Sequence, residues 1–407
     1  MAGSTPEASS AQVAGGQPQG KQTFAFIAMT CLFFFWGFIT VLNDILIPFL
    51  KESFDLNYTQ AMLVQFCFFG AYFIVSPFAG RLIDKVGYQQ GIVIGLLTTA
   101  AGCCLFYPSA SLHMYSLFLF GFFVLASGIT ILQVAANPYV AALGPETTAA
   151  SRLNLAQAAN SFGTTVGPIV GAALILGVVA ADASAVQIPY LMIAGLLIAA
   201  ALVFRNIKLP VLTHMENEEK ADGSVWEHRH LVLGALAIFL YVGGEVSIGS
   251  FLVNYFSESS IGGLTTAEAG EMVAYYWGAA MIGRLIGAVL MNYIADTKYL
   301  AINAVIAIVM IVVSMNTSGS VAMWSILAVG FFNSIMFPTI FTLAVKGLGS
   351  MTSKGSGFVC QAIVGGALIP LVQGVAADTM GIQLSFIVPM LCYIYIGWYA
   401  LNGAQKA

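Results

Sequence analysis

Apolar residues run along this chain in blocks, separated by short polar breaks. A helix that crosses a bilayer needs roughly 20 mostly apolar residues. Twelve stretches meet that length: 24–50, 59–81, 90–108, 114–143, 152–180, 187–205, 230–256, 267–293, 299–316, 320–346, 355–377 and 382–402. Two longer polar stretches interrupt them. The first 22 residues are mostly Ala, Gly, Ser, Gln and Pro with one Lys, and read as a disordered tail rather than a signal peptide. The other is RNIKLPVLTHMENEEKADGSVWEH, 206–229, with six spans before it and six after. The pattern predicts an all-α membrane protein of twelve transmembrane helices. These form two pseudo-symmetric six-helix bundles, 23–205 and 230–407, joined by the linker 206–229.

Composition strengthens this picture. Of 407 residues, 59% are apolar and 8% are charged, against about 25% charged in soluble proteins. Such a chain lacks the polar groups to cover a water-facing surface. The net charge of −4 is spread over loops, and no nucleic-acid partner is expected. Lysine and arginine sort to one side. With the N-terminus in the cytoplasm, the basic residues flanking the spans fall on the cytoplasmic side, with only Lys51 outside. That bias supports an even span count, with both termini and the linker cytoplasmic. The cysteines (Cys31, Cys67, Cys103, Cys104, Cys360 and Cys392) sit inside apolar runs without metal-ligand spacing, and read as apolar filler. No metal site is expected.

The two sets of spans repeat each other. Gly80-Arg81 closes the second span and Gly283-Arg284 lies in the eighth. Gln133 and Pro138 in the fourth match Asn333 and Pro338 in the tenth, and Gln157 in the fifth matches Gln361 in the eleventh. The offsets run from 200 to 204. Duplicated halves are a transporter architecture, with the substrate site between them near mid-membrane.

Asp44 and Glu245 are the acids well inside spans. An acid at helix centre costs about 2.5–3.5 kcal/mol on insertion scales, so each needs a reason. Asp44, beside Asn43, shares a helical face with Gly37 and Thr40. It reads as a protonation site that loads and releases a proton, or as an acid satisfied by a neighbouring helix. Glu245 lies in GGEVSIGS, a glycine-rich piece expected to be irregular. It could bind sugar hydroxyls, hold a cation, or lock its helix to Arg284. Sodium held by carboxylates and carbonyls is the other coupling chemistry open here.

Neutral amides mark a site for a polyhydroxylated ligand. Thr130, Gln133 and Asn137 form one stripe, and Gln157 and Asn160 another. Amides offer donors and acceptors to hydroxyls, and an aromatic ring such as Trp277 can cover the apolar face of a sugar. Asn333 and Gln361 hold matching places in the second half, and Asn43 on the first span joins the substrate-binding candidates. The same residues could instead bridge helices. Asn137, next to Pro138, is expected to satisfy backbone freed by the proline. Gly163, Gly167 and Gly171 read as a close-packing stripe.

The stretch GRLIDKVGYQQ, 80–90, resembles the loop signature of the major facilitator superfamily. Gly80, Arg81, Asp84, Lys85 and Gly87 carry it, as gating or packing residues. LNDILIPF, QVAANPYVAALGPE, SRLNLAQAANSFGT and LYVGGEVSIGSFLVNYF together resemble the fucose–proton symporter family, and most its glucose/galactose transporter branch. The resemblance covers the chain apart from its tail and linker. It implies the major facilitator fold and uptake of a hexose or deoxyhexose across a bacterial inner membrane, coupled to a cation gradient. It also implies that Asp44 handles the proton. The family's fucose symporters carry a glutamate where this chain has Gln133, which cannot titrate but can still hydrogen-bond a sugar.

The expected function is import of a hexose such as glucose or galactose, rather than fucose, by proton symport through alternating access. Sodium coupling is the alternative, followed by multidrug/proton antiport. The amide-rich fourth and fifth spans argue against a lipophilic cargo. No nucleophile–base pair or nucleotide loop suggests an enzyme. No cofactor beyond the coupling ion is expected. The partners expected are a sugar and the lipid bilayer, around a monomer.

Overall fold

A computed structural model describes residues 19–55, 58–171, 186–207, 209–210 and 224–404. Eleven helical segments among them are long and apolar enough to cross a membrane. In chain order the helices are α1 (Gln19–Ser53), α2 (Tyr58–Val86), α3 (Tyr88–Ser111), α4 (Tyr115–Ala142), α5 (Ala149–Gly171) and α6 (Gln187–Asn206), then α7 (Arg229–Ser257), α8 (Thr266–Leu290) and α9 (Asp296–Asn316). The tenth span is α10 (Gly319–Asn333) with α11 (Met336–Val345), the eleventh α12 (Thr352–Gln361) with α13 (Gly365–Met380), and the twelfth α14 (Ile382–Ser385) with α15 (Ile387–Trp398). The fifth predicted span appears as α5; its remaining stretch, 172–180, lies outside the described residues. So do residues 1–18 of the tail and most of the linker.

Several boundaries differ from the sequence reading. α1 already begins at Gln19, inside the predicted tail. α2 runs on to Val86, so most of the loop signature is helix. Burial of Ile83 extends the packed face, and Lys85 in the last turn suits the negative end of the helix dipole. Gly87 then turns the chain with φ 81°, a left-handed conformation that favours glycine, and opens α3. The tenth span breaks at Ser334–Ile335, four and three residues before Pro338. The eleventh contains a short 3-10 turn, Ala362–Val364. The expectation of an irregular GGEVSIGS is wrong: α7 is continuous through it. Its glycines serve contact instead, because a Cβ on Gly243 would come within 2.2 Å of Ile369 on α13. At the other extreme α8 starts on a capping box, in which Thr265 and Glu268 satisfy each other's backbone N–H.

Large apolar side chains are exposed on the outer faces, among them Phe66, Phe78, Ile188 and Leu371. In water such a surface would aggregate; against lipid it is the expected one. Within the first six helices, α1 lies on α5 at backbone distance. A Cβ on Gly163 would meet the Phe34 carbonyl oxygen at 2.2 Å, and one on Gly37 would meet the Asn160 carbonyl oxygen at 2.1 Å. Small residues permit this approach. Gly167 shares the contact, and α5 ends at Gly171. Gly163→Val is expected to destabilise the protein by about 1–3 kcal/mol through overpacking. A melting curve in detergent unchanged from the parent would contradict this contact.

Polar contacts between α1–α6 and α7–α15 cluster at one end. Ser151 donates to the Ala288 carbonyl at 2.5 Å, and Asn154 reaches the Met291 sulfur at 3.0 Å. Ser353 and Tyr88 pair through their hydroxyls at 3.3 Å, and Lys346 lies 3.4 Å from Glu146. This is the end that carries the linker residues Val225–Glu227 and the α4–α5 and α11–α12 connections.

Candidate functional site

The matching positions of the repeat make matching bonds. Gln133 on α4 is buried and donates from Nε2 to the Tyr72 hydroxyl on α2, at 2.6 Å. Asn333 on α10 is buried and donates from Nδ2 to the Tyr276 hydroxyl on α8, at 2.7 Å, and to the Tyr393 hydroxyl on α15, at 3.0 Å. In each case the amide oxygen, Oε1 of Gln133 and Oδ1 of Asn333, is buried without a partner among the described residues. A buried acceptor left unpaired costs about 1–3 kcal/mol, so each of these oxygens has an unmet demand for a donor.

Glu245 sits between two donors. The Tyr241 hydroxyl donates to its Oε1 at 2.7 Å, and the Arg284 guanidinium stands 3.8 Å away. Both charged side chains keep 13% exposure. Arg284 has two further bonds. Nε donates to the Ser334 carbonyl at 3.1 Å, and a terminal nitrogen donates to the Ser161 hydroxyl on α5. The arginine therefore joins the acid of α7, the break in the tenth span and the opposite set of helices. Of the roles open to Glu245 from sequence, the lock with Arg284 is the contact present.

The remaining candidates are distributed around this core. Gln157 is buried, and no bond from its amide is found among the described residues. Asn160 donates from Nδ2 to the Phe33 carbonyl on α1 at 3.0 Å, as helix glue. Trp277 is 40% exposed, two turns from Arg284 on the same face of α8, and its ring lies against Gly249 of α7. Gln361 donates to the Phe73 carbonyl on α2 at 3.1 Å. Asn43 and Asp44 lie on α1, but their side chains fall outside the described residues. The expectation for Asn137 fails. Its amide is fully buried with neither atom partnered among the described residues, and the carbonyl freed by Pro138 is taken by Ser356 instead.

The signature residues gather where α2 meets α12. A Cβ on Gly80 would come within 2.9 Å of the Ser353 carbonyl oxygen. Asp84 faces Ser353 and Lys354, while Arg81 lies over the Phe78 ring, 5.8 Å from its centroid. Lys85 and Gly87 are exposed at the helix end.

Sequence reasoning missed the tyrosines and serines. Tyr72, Tyr241, Tyr276 and Tyr393 carry the hydroxyls that the amides and the acid use, and Ser161, Ser334 and Ser356 join the sets. The repeat itself held the signal for one pair, since Tyr72 and Tyr276 stand 204 apart, within the range of the other matched positions. The cluster also has a simple order along each helix. Tyr72, Gln133, Asn160 and Asn333 each precede by one residue a group bonded across the site: Phe73, Val134, Ser161 and Ser334.

Comparison with known proteins places this arrangement. A family model described as Major Facilitator Superfamily matches residues 25–369. A crystal structure of the transporter FucP in the outward conformation superposes with a TM-score of 0.88 at 34% identity, over 95% of this chain and 100% of that one. The chain belongs to the Major Facilitator Superfamily. Two relatives from that comparison are informative. The "Glucose/galactose transporter" of Brucella abortus biovar 1 (strain 9-941) is 57% identical over 395 residues, 95% of this chain and 96% of that protein. The "L-fucose-proton symporter" of Escherichia coli (strain K12) is 35% identical over 415 residues, 94% of this chain and 93% of that one. Members of this superfamily are transporters, so the Major Facilitator fold, its helical repeat and its multi-pass topology here serve transport and not catalysis.

Proposed function

We propose that the protein imports a hexose such as glucose or galactose by proton symport, through alternating access, with Asp44 as the proton carrier. The observation that carries this reading is the matched pair of buried amides, Gln133 on α4 and Asn333 on α10, each bonded to a tyrosine and each with its oxygen unpaired among the described residues. Gln133, Gln157 and Asn160 come from one set and Asn333 from the other. To this pair the reading adds Asn43, Trp277 and Gln361 as sugar contacts, with Glu245 beside the Tyr276 that Asn333 binds. Amides with unpaired oxygens suit hydroxyls, and Trp277 supplies a ring face. The names of the relatives support the substrate class and the coupling ion.

The two sets, 23–205 and 230–407, then rock about this site. With the linker in the cytoplasm of a bacterial cell, the bonded end is the inner one and the state is outward-facing. Sugar and a proton load from outside, and neutralising Asp44 removes the cost of closing a charge into a dry site. The protein works as a monomer in the inner membrane.

The test is uptake into proteoliposomes of labelled glucose, galactose and fucose under imposed proton or sodium gradients. Accumulation of a hexose driven by the proton gradient is expected. Accumulation driven by sodium alone would replace the proton in this reading, and failure to take up any of the sugars would end it. Gln133→Leu is expected to weaken half-saturation for the hexose by about 10-fold, the effect of a bond or two lost to a buried polar group. An unchanged half-saturation would remove Gln133 from the sugar site.

A further inference from the structure

Three prolines stand four residues after a backbone carbonyl that a side chain elsewhere has taken. Proline has no N–H to give the carbonyl one turn back, so that oxygen has no partner within its own helix. Pro77 leaves the Phe73 oxygen to Gln361 Nε2, at 3.1 Å. Pro138 leaves the Val134 oxygen to the Ser356 hydroxyl, at 3.0 Å. Pro338 leaves the Ser334 oxygen to Arg284 Nε, at 3.1 Å. The first two acceptors are on α2 and α4, while both donors are on α12 of the other set. Between those donors Gly357 lets α12 touch α2, since a Cβ there would come within 2.7 Å of the Ser76 oxygen.

We propose that Pro77 and Pro138 create the acceptors of the seal between the two sets, and that Gln361 and Ser356 are the residues that make and break it during transport. An ordinary helical carbonyl is already bonded to its own N–H, and a side-chain donor adds little to it. A carbonyl without that N–H must find a donor when the site is dry. α12 supplies the donor while the end is closed. Water supplies it once the end opens, so neither state strands the oxygen. The seal is thus specific in where it forms and cheap to release, as a contact broken once per cycle must be. This inference rests on alternating access and not on the identity of the sugar or ion.

Distances across the linker end test it directly, without substrate. Spin labels at Arg205→Cys and Lys298→Cys, both exposed positions, report opening by electron–electron double resonance in a background without other reactive cysteines. Ser356→Ala and Gln361→Leu are each expected to raise the ratio of open to closed end about 5-fold, the weight of one net hydrogen bond. Pro138→Ala restores the missing N–H and is expected to do the same. In that background Ser356→Ala is expected to add nothing further, because the acceptor is already spent. A merely structural proline would give the opposite, independent and additive effects, and that result overturns the proposal. If Pro138→Ala does not fold, the single variants decide: distances unchanged in both Ser356→Ala and Gln361→Leu overturn it equally.

Discussion

Arg284→Met is expected to abolish transport and to lower the melting temperature by several degrees. Arg284 uses three arms at once, to Glu245 at 3.8 Å, to the Ser334 carbonyl at 3.1 Å and to the Ser161 hydroxyl. Removing one member of a buried ion pair costs about 3–5 kcal/mol, because the other charge stays behind unpaired. The 13% exposure of both side chains puts this pair toward the lower end. Lysine offers a single point charge in place of a planar fork, so Arg284→Lys is expected to recover little. Adding Glu245→Gln to Arg284→Met removes the stranded charge, and stability is expected to return. Transport is not, because the bridge to Ser161 is still missing. Melting and uptake measured on the same preparations separate the two effects. An Arg284→Met protein that melts like the parent would show that the pair carries no structural weight.

Asp44→Asn is expected to reduce the accumulation ratio under a proton gradient to one, while sugar still equilibrates across the membrane. Within the spans Asp44 and Glu245 are the acids available for coupling, and Glu245 is already engaged by Arg284 and Tyr241. On the proposed reading, Asp44 is therefore the acid that carries the proton. Asparagine mimics the loaded, neutral state, so the conformational change should proceed without carrying charge. Counterflow of labelled sugar, which needs only that change, is expected to survive within a few-fold. Gradient-driven accumulation by the Asp44→Asn protein at the level of the parent would move the proton elsewhere, with Glu245 the next residue to substitute.

Fold and site differed in how far they could be read from sequence. The spans were legible because lipid demands long apolar runs and tolerates few charges. The repeat was legible through Gln133 and Asn333, which proved to bind tyrosines of matching helices. The continuity of α7 was not: Gly243 and Gly244 suggested a broken helix, because glycine is a breaker in water. In a packed bundle the same residue is a contact surface, and only the position of Ile369 tells the two apart. The site's acids and amides stood out as polar letters in apolar text. Their partners did not, because tyrosine and serine occur throughout such a chain and a hydroxyl becomes significant only through what faces it. The acceptors for Gln361, Ser356 and Arg284 were least visible of all. They are backbone oxygens, and the only letter that marks them is a proline four positions later.

The unpaired oxygens of Gln133 and Asn333 bear on selectivity among analogues. A pocket that merely encloses a ring tolerates a missing group, since the loss is one small contact. A pocket with stranded acceptors penalises omission, because each oxygen without its hydroxyl costs about 1–3 kcal/mol. On the proposed sugar site, deoxygenation at the position bonded by either amide is therefore expected to hurt more than inversion at a position against the Trp277 ring. A series of singly deoxygenated hexoses, ranked by competition, would then map these two oxygens onto the carbon atoms of the sugar.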